Sequence, residues 1–477
     1  MNGQGCVARL NLFQLPPLQR LVKSDNRFIS HSLALIRWRS GIVPAGIIGF
    51  LIALSHGVAI AFVYDANSYW TGVSNFLTSH KDFQSPGLLS IRGVFTVLAY
   101  SPAALFSKYA GASASGIAVL VQNAALIAFV GAVLLPALAS KIIHIRPVHV
   151  LVSVILTSSL TAGFAPYPLM DIPAVALVLT GILLLASNGR RGLLWAGICL
   201  GVGINLRPFY LAPVLLLSII WLVSRWRRAA WPIAGAFAAV LPQLFYERVV
   251  NGVWRPWPIQ TFALSDIQSK YASFIVRYDT IAFDGSRNPQ QFFCSPMSAD
   301  LFPGSAPSST TGLIVATIQH LPSSVIFLFE KLSATFFWST KTPYEASPPV
   351  SIGLLTLAVT AISAAGIVLL VRVAFRSRLI DAPRNFTLVL LALVAGSSAT
   401  IAFSTPEPRF ALPILLVGII GCLVGLDGFR AIPRRGGQRV GIAVTASVIV
   451  LVLISGSFGL AYPAPPGDAT LVACRTQ

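Results

Sequence analysis

Nine long apolar stretches, each close to the length that crosses a lipid bilayer, dominate this 477-residue sequence. A membrane helix needs about 20 mainly apolar residues. The candidate spans are 42–63, 114–136, 147–166, 171–188, 229–246, 349–371, 385–403, 410–428 and 440–462. A tenth stretch, 192–224, is interrupted by Asn205, Arg207 and Pro208, which predicts two short helices that meet near Arg207. The sequence therefore predicts an all-α polytopic membrane protein of about eleven spans.

The composition excludes a water-soluble globule and a disordered chain. Hydrophobic residues make up 55% of the sequence and charged residues only 10%, whereas a soluble domain carries about 25% charged residues. A globule of this composition would expose large apolar patches to water, and disordered chains are poor in the residues that dominate here. We therefore expect membrane lipids to surround most of the chain.

The net charge of +19 lies almost entirely on one predicted face of the membrane. With a cytoplasmic N-terminus and alternating spans, the cytoplasmic segments are 1–41, 137–146, 189–191, 225–228, 372–384 and 429–439. They hold 21 of the 34 Lys and Arg residues but only two of the 15 Asp and Glu residues, and Asp427 lies at the boundary of the last segment, so the bias is +18. This bias follows the positive-inside rule and predicts a multi-pass membrane protein with its N-terminus in the cytoplasm and its C-terminus outside. Because the basic residues are spread over short turns, the sequence does not predict nucleic-acid binding.

The sequence predicts one transmembrane domain, 42–462, between a basic cytoplasmic N-terminus, 1–41, and a short outer tail, 463–477. Two outer loops are long: 64–113 and 247–348. The apolar stretch 94–107 is too short to cross the membrane, and we expect an interfacial helix there. The second loop contains an amphipathic stretch at 313–339, for which we also expect interfacial helix.

The five cysteines show no spacing typical of a metal site. No Cys-x-x-Cys pair and no Cys/His ligand pattern occurs, which argues against zinc and iron–sulfur centres. Cys294 and Cys474 both fall on the predicted outer side, where a disulfide can persist. The sequence leaves open whether they pair.

Four clusters of ionisable residues lie at the predicted outer ends of spans. Such groups are costly at the edge of a bilayer, which makes them functional candidates. The clusters are Tyr64–Trp70 with Asp65 and Tyr69, Tyr167–Pro173 with Asp171, Gly201–Pro208 with Arg207, and Pro406–Pro413 with Glu407 and Arg409. Their common location predicts one site assembled from distant segments.

Each cluster suits a chemical role and a structural one. Asp65 could act as a general base toward an alcohol, and Asp171 could be functional or a plain helix N-cap. Arg207 suits a phosphate oxygen pair, although a snorkelling arginine is the alternative. Glu407 and Arg409, between prolines, could belong to the site or form an internal ion pair.

Tyr69 could bind substrate or anchor the chain in the membrane interface. His80, Lys81 and Arg92 in the first outer loop are secondary candidates, and each could equally be a solvated loop residue.

In this order and spacing the clusters resemble the motifs of the GT-C superfamily of polyprenyl-phosphate-sugar-dependent glycosyltransferases, in particular its bacterial protein-mannosyltransferase and aminoarabinose-transferase branch. The matching segments are Asp65 with Tyr69, Asp171-Ile172-Pro173, Gly201 to Pro208, and Arg409-Phe410-Ala411-Leu412-Pro413. The resemblance covers about residues 60–415. In one departure, Ala66 and Asn67 follow Asp65 where many relatives carry a second acidic residue. A metal-binding acidic pair is therefore unsupported. We expect no cofactor, and a divalent metal ion is the alternative that the spacing leaves open.

The resemblance implies a GT-C-like helical bundle in a bacterial inner membrane. It implies transfer of a sugar from a polyprenyl-phosphate donor to a hydroxyl of a lipid, glycan or protein acceptor on the outer face. Direct attack would invert the anomeric centre. The implied roles are catalysis by Asp65 and Asp171, binding of the donor phosphate by Arg207, Arg409, Lys81 and Arg92, and substrate binding by Tyr69, His80 and Glu407.

Two other classes of function remain open at this point. A transporter or lipid-linked-glycan flippase would also be polytopic, but such proteins tend to hold their polar residues near the midplane, with internal repeats. A polysaccharide polymerase or ligase would share the compartment and differ in its donor, commonly a lipid diphosphate. The sugar and the acceptor cannot be read from the residues.

Overall fold

The computed structural model describes residues 41–78, 92–187, 189–258, 309–336, 354–375, 381–404 and 407–431, together with shorter pieces such as 343–344. The described chain is predominantly helical. Its helices are α1 (Gly41–Leu54), α2 (Tyr64–Thr78), α3 (Phe95–Ala99), α4 (Ser101–Ala110), α5 (Ser115–Phe129), α6 (Leu135–Ala139), α7 (Pro147–Thr161), α8 (Asp171–Leu185), α9 (Arg190–Leu206), α10 (Leu211–Arg225), α11 (Ala230–Asn251), α12 (Thr310–Gln319), α13 (Leu321–Phe336), α14 (Leu354–Phe375), α15 (Asp381–Ala402) and α16 (Leu412–Ala431).

Seven helical stretches of the described residues are long and apolar enough to cross a membrane. They are Ala112–Ala139, Pro147–Phe164, Pro208–Arg228, Ala230–Asn251, Leu357–Phe375, Pro383–Ala402 and Arg409–Leu426. The helices α1 and α8 are apolar but shorter. The predicted class is confirmed: the chain is a polytopic, predominantly helical membrane protein. The count of eleven spans stays a prediction.

Three predicted elements differ from the structure. The first span was expected over 42–63, but α1 ends at Leu54, because a turn through Ser55 and Gly57 follows and Gly57 takes a positive φ of 76°. The interfacial helix expected over 94–107 is two helices, α3 and α4, which a buried Tyr100 separates.

The amphipathic stretch 313–339 is likewise divided, into α12 and α13. The last predicted span, 440–462, lies largely outside the described residues. The predicted break near Arg207 is confirmed, since α9 ends at Leu206 and a 3₁₀ turn, Pro208–Tyr210, leads into α10.

The short helix α8 lies in the middle of the bundle. Most of its side chains are buried, and it packs against α5, α6, α9 and α16. Around it, helices approach closely where they carry small residues, as is usual in membranes. A Cβ added to Gly366 of α14 would lie 1.8 Å from the carbonyl oxygen of Gly418 in α16, so this crossing requires glycine. The first residue of α8, Asp171, therefore lies at the centre of the bundle's end.

The second long loop and the C-terminal segment together form a small antiparallel sheet. Its strands are β1 (Ile275–Tyr278), β2 (Gln291–Cys294) and β3 (Tyr462–Pro463), in the order β1-β2-β3. Val276 is opposite Phe293, and Cys294 is opposite Tyr462. The last strand brings the C-terminal segment to the long loop. Cys474 lies outside the described residues, so the pairing of Cys294 with Cys474 stays open.

Candidate active site

Asp65 and Arg409, 344 residues apart, form an ion pair. Asp65 lies in the first turn of α2, and Arg409 lies in the 3₁₀ turn Pro408–Ala411 that precedes α16. The Nη2 of Arg409 is 2.8 Å from the Oδ2 of Asp65, and its Nε donates to an oxygen of Glu407. The Arg409 side chain is 5% exposed and the Asp65 side chain 34%. One arginine therefore holds two carboxylates, of which Asp65 remains accessible.

Asp171 and Arg207 form a second, more deeply buried ion pair. The Nε of Arg207 is 3.0 Å from the Oδ1 of Asp171, and their side chains are 5% and 3% exposed. Asp171 opens α8, and Arg207 ends α9 in an extended conformation that Pro208 favours. The carboxylate of Asp171 thus pairs with Arg207 instead of capping its own helix.

Aromatic rings join the two ion pairs. The guanidinium of Arg207 lies over the ring of Phe410, 5.2 Å from its centroid. Phe410 is the neighbour of Arg409 in sequence and stacks on Phe209, with ring centroids 4.8 Å apart. Because Phe209 is two residues after Arg207, each aromatic ring belongs to one of the two arginine turns. The stack fixes the two turns side by side.

Arg92 and Tyr69 complete the cluster. The guanidinium of Arg92 lies 6.0 Å from the centroid of the Tyr69 ring, and Tyr69 is 1% exposed. The next residue is Gly93, and a Cβ added to it would lie 2.0 Å from the Oδ1 of Asn205. The backbone beside Arg92 therefore packs closely against the side-chain amide of Asn205. Asn205 is two residues before Arg207, which explains how a residue of the first loop reaches the arginine turn.

A buried polar network fixes this contact. The backbone N–H of Phe95 donates to Asn205, and that of Val94 donates to the Oε1 of Gln243, both at 3.0 Å. Gln243 in turn donates to Glu247, and both side chains are fully buried in α11. Because buried polar groups are costly when unpaired, the network favours one position for the turn that carries Arg92.

A second scaffold supports Asp171. The side-chain amide of Asn123 donates to the carbonyl oxygens of Ala165 and Tyr167, at 3.1 and 2.8 Å. The hydroxyl of Tyr100 donates to the carbonyl of Leu169 at 2.7 Å. The loop before α8 therefore reaches Asp171 along a fixed path.

The three guanidinium groups control the ionisation of Asp65. Burial favours the protonated form and would raise its pKa. Arg409, followed by Arg92 and Arg207, opposes this and holds the pKa of Asp65 well below its usual value. Burial raises the pKa of Tyr69. At neutral pH the site therefore presents an ionised Asp65 and a neutral Tyr69.

Three buried polar atoms of the site have no hydrogen-bond partner among the described residues. They are the Oη of Tyr69, the Oδ2 of Asp171 and the Nη1 of Arg409. Buried polar atoms in native proteins are almost always paired. A hydroxyl donor, a carboxylate acceptor and a guanidinium donor are the groups that hydroxyl and phosphate oxygens of a ligand can satisfy.

The structure brings together most of the residues predicted for the site. Those that converge are Asp65, Tyr69, Arg92, Asp171, Arg207, Glu407 and Arg409. The other two candidates, His80 and Lys81, lie outside the described residues. The structure adds Tyr344, whose buried hydroxyl bonds to the backbone at both sides of Asp65, and the amides Asn205 and Gln243. Tyr344 lies in a stretch of the second loop that carries no motif.

The three carboxylates of the site are all paired with arginines. Asp65 and Glu407 are both engaged by Arg409, and Asp171 is engaged by Arg207. A group of three or more His, Cys, Asp or Glu side chains that could hold a metal does not occur in the described part of the chain. Metal independence of the site stays a prediction.

No family model and no curated protein matches this chain. Among solved structures it is similar to the archaeal oligosaccharyltransferase AglB from Archaeoglobus fulgidus, in complex with an inhibitory peptide and a dolichol-phosphate. The sequences are 13% identical, the match covers 90% of this chain and 56% of that chain, and the TM-score is 0.48. The chain thus spans little more than half the length of that structure. A likeness this distant bears on neither the activity nor the roles of the site residues.

Proposed function

We propose that this protein is a membrane glycosyltransferase. It moves a sugar from a polyprenyl-phosphate donor to an acceptor hydroxyl of a lipid, glycan or protein at the outer face of a bacterial inner membrane. The observation that carries the proposal is the convergence of three arginines and three carboxylates from five segments of the chain on one end of the bundle. The basic residues are concentrated in the predicted turns on the other side of the membrane, which supports an outer location for the site.

The donor's chemistry requires cations next to a base. When the bond between the anomeric carbon and the phosphate oxygen breaks, positive charge develops on the sugar, and the lipid phosphate leaves with an added negative charge. Preorganised guanidinium groups stabilise such a leaving group. Arg207 and Arg92 suit this role, because neither is shared between two carboxylates as Arg409 is, and the unpaired Nη1 of Arg409 can donate one further hydrogen bond to the phosphate.

Asp65 suits the role of general base better than Asp171. Its side chain is 34% exposed, whereas that of Asp171 is 3% exposed. Asp65 takes the proton of the acceptor hydroxyl as the oxygen bonds to the anomeric carbon, and the phosphate departs from the opposite face. Direct attack of this kind inverts the anomeric configuration. Asp171, with its free Oδ2, orients a sugar or acceptor hydroxyl and holds Arg207.

Replacement of Asp65 tests the proposal. Membranes that contain Asp65→Asn should lose transfer from radiolabelled polyprenyl-phosphate hexoses and pentoses by a factor of roughly 10²–10⁴. Asp266→Asn is the matched control, since that carboxylate accepts from the N–H of Thr310 and belongs to the outer loop rather than to the site. Full transfer by Asp65→Asn at normal protein levels would remove Asp65 as the base.

The same membranes distinguish the other classes of function. A transporter or flippase would accumulate or translocate the labelled lipid in sealed vesicles without covalent transfer, and a polymerase would use a lipid diphosphate donor. Parallel reactions with and without EDTA test the metal. Mass spectrometry of envelope glycans and lipids, with and without the protein, identifies the sugar and the acceptor.

A further inference from the structure

Tyr344 acts as a distant cap for the helix that carries Asp65. Its hydroxyl accepts a hydrogen bond from the backbone N–H of Ala66 and donates one to the carbonyl of Val63, both at 3.3 Å. Since α2 begins at Tyr64, the N–H of Ala66 is one of the first-turn donors that a helix cannot satisfy by itself. A side chain 278 residues away in sequence satisfies it.

Both sequence neighbours of Asp65 contact Tyr344. Tyr64 has a φ of 50°, in the left-handed region that bulky residues rarely adopt. Its ring packs against the ring of Tyr344, with centroids 5.5 Å apart. Ala66 is bonded to the hydroxyl of the same side chain. Strained backbone persists only where the surroundings hold it, and Tyr344 supplies contacts on each side of Asp65.

Tyr344 also contacts the turn that leads to Asp171. Its ring meets that of Tyr167 edge to face, with centroids 5.2 Å apart. The carbonyl of Tyr167 is held by Asn123, and Tyr167 is four residues before Asp171. At 1% exposed, Tyr344 is one of the largest fully buried side chains of the chain as described. It therefore stands between the two turns that carry the carboxylates.

We propose that Tyr344 is a positioning residue, which fixes the direction of the Asp65 carboxylate and its spacing from Asp171 without touching substrate itself. This inference rests on the proposed function of the site. It also gives the second long loop a defined task, since Tyr344 belongs to that loop. Displacement of a catalytic group by about 1 Å can reduce a rate on the order of 100-fold, so a residue of this kind affects kcat more than KM.

Tyr344→Phe removes the hydroxyl and keeps both ring contacts. We expect kcat for transfer from the polyprenyl-phosphate sugar to fall on the order of 10- to 100-fold, with the KM for the donor changed by less than about threefold. Freed from its fixed position next to Arg409, Asp65 should have a higher pKa. The acid limb of kcat/KM, which reports the free enzyme's base, should then move to higher pH.

A second readout does not depend on activity. Backbone hydrogen exchange in the segment Val63–Trp70 should accelerate in Tyr344→Phe, because the N–H of Ala66 loses its acceptor. If the variant does not accumulate, wild-type exchange decides: an Ala66 N–H that exchanges at the rate of an unprotected amide would overturn the proposal.

Trp221→Phe is the matched control for lost stability. Trp221 is buried and donates to the carbonyl of Leu185 at 3.2 Å, at the end of α8 opposite Asp171. Both variants should lose thermal stability, but only Tyr344→Phe should change kcat, the acid limb and the exchange of Val63–Trp70. A Tyr344→Phe protein with wild-type kcat and an unmoved acid limb, beside an inactive Asp65→Asn, would overturn the positioning role alone. Full activity of Asp65→Asn would instead overturn the proposed function, and exchange would then decide on Tyr344.

Discussion

The buried ion pair between Arg207 and Asp171 should be dispensable for stability but required for transfer. Its atoms are 3.0 Å apart, and its side chains are 5% and 3% exposed. The perturbation is a cycle of three variants: Arg207→Met, Asp171→Leu and the double replacement. Each single variant leaves one buried charge without its partner, whereas the double variant leaves two apolar side chains in its place.

The expected magnitudes follow from burial and chemistry. At 3.0 Å and an effective dielectric constant of about 20, the attraction is about 5–6 kcal/mol. Removing one partner of a buried pair costs about 3–5 kcal/mol of stability, whereas replacing both by apolar residues is often neutral. A carboxyl group can take up a proton but a guanidinium cannot lose one. Asp171→Leu, which leaves Arg207 unpaired, should therefore cost more than Arg207→Met.

Thermal unfolding of the purified proteins in detergent, followed by tryptophan fluorescence, measures the order of stability. We expect wild type and the double variant to unfold at similar temperatures, Arg207→Met lower, and Asp171→Leu lowest. Transfer should fall strongly in all three variants, and the activity that remains in Arg207→Met should show a raised KM for the donor. A double variant as unstable as the worse single variant would refute the coupling. A stable double variant that still transfers sugar would refute the functional role of the pair.

Two further variants test the surroundings of the site. Gly93→Ala should lower the free energy of unfolding by about 1–3 kcal/mol and raise the KM for the donor, since the new Cβ would lie 2.0 Å from the Oδ1 of Asn205. The control is Gly189→Ala, whose Cβ would meet nothing within 4 Å. It should match wild type in thermal unfolding and in the donor titration. Lys331 in α13 is 1% exposed, and burial lowers its pKa to about 7. Between about pH 7 and 10.5 the unfolded chain therefore binds more protons than the folded one. The stability of the protein should rise with pH over that window. Lys331→Met should abolish this rise, and a pH series of unfolding temperatures would show it.

The sequence predicts those parts of the fold that depend on local patterns. The length of the apolar stretches predicts the helical bundle, and the proline next to Arg207 predicts the break there. Both signals lie within one continuous segment of the chain. The first span was predicted too long, since the apolar count over 42–63 overlooked the turn at Ser55–Gly57. Short polar interruptions decide where a helix ends, and hydropathy alone averages over them.

The convergence of the site could be predicted only in outline. The predicted location at the outer ends of spans implies that Asp65, Asp171, Arg207 and Arg409 lie close together. It does not predict that Asp65 pairs with Arg409 and Asp171 with Arg207. Tyr344 could not be found at all, because its role depends on contacts with backbone 278 residues away. A lone tyrosine in a loop carries no local signal of such a contact.

The ion pair with Arg409 keeps the carboxyl group of Asp65 ionised, but it also makes that carboxylate a weaker base. A general base is stronger when its pKa is higher, yet arginines hold the pKa of Asp65 low. In the proposed reaction the donor phosphate binds the same guanidinium as Asp65, through the Nη1 of Arg409, which has no partner among the described residues. Bound donor would draw positive charge away from Asp65 and raise its pKa at the moment when the base is needed. The acid limb of kcat, which reports the donor complex, should therefore lie at higher pH than that of kcat/KM, and coincident limbs would show that Arg409 does not couple donor binding to the base.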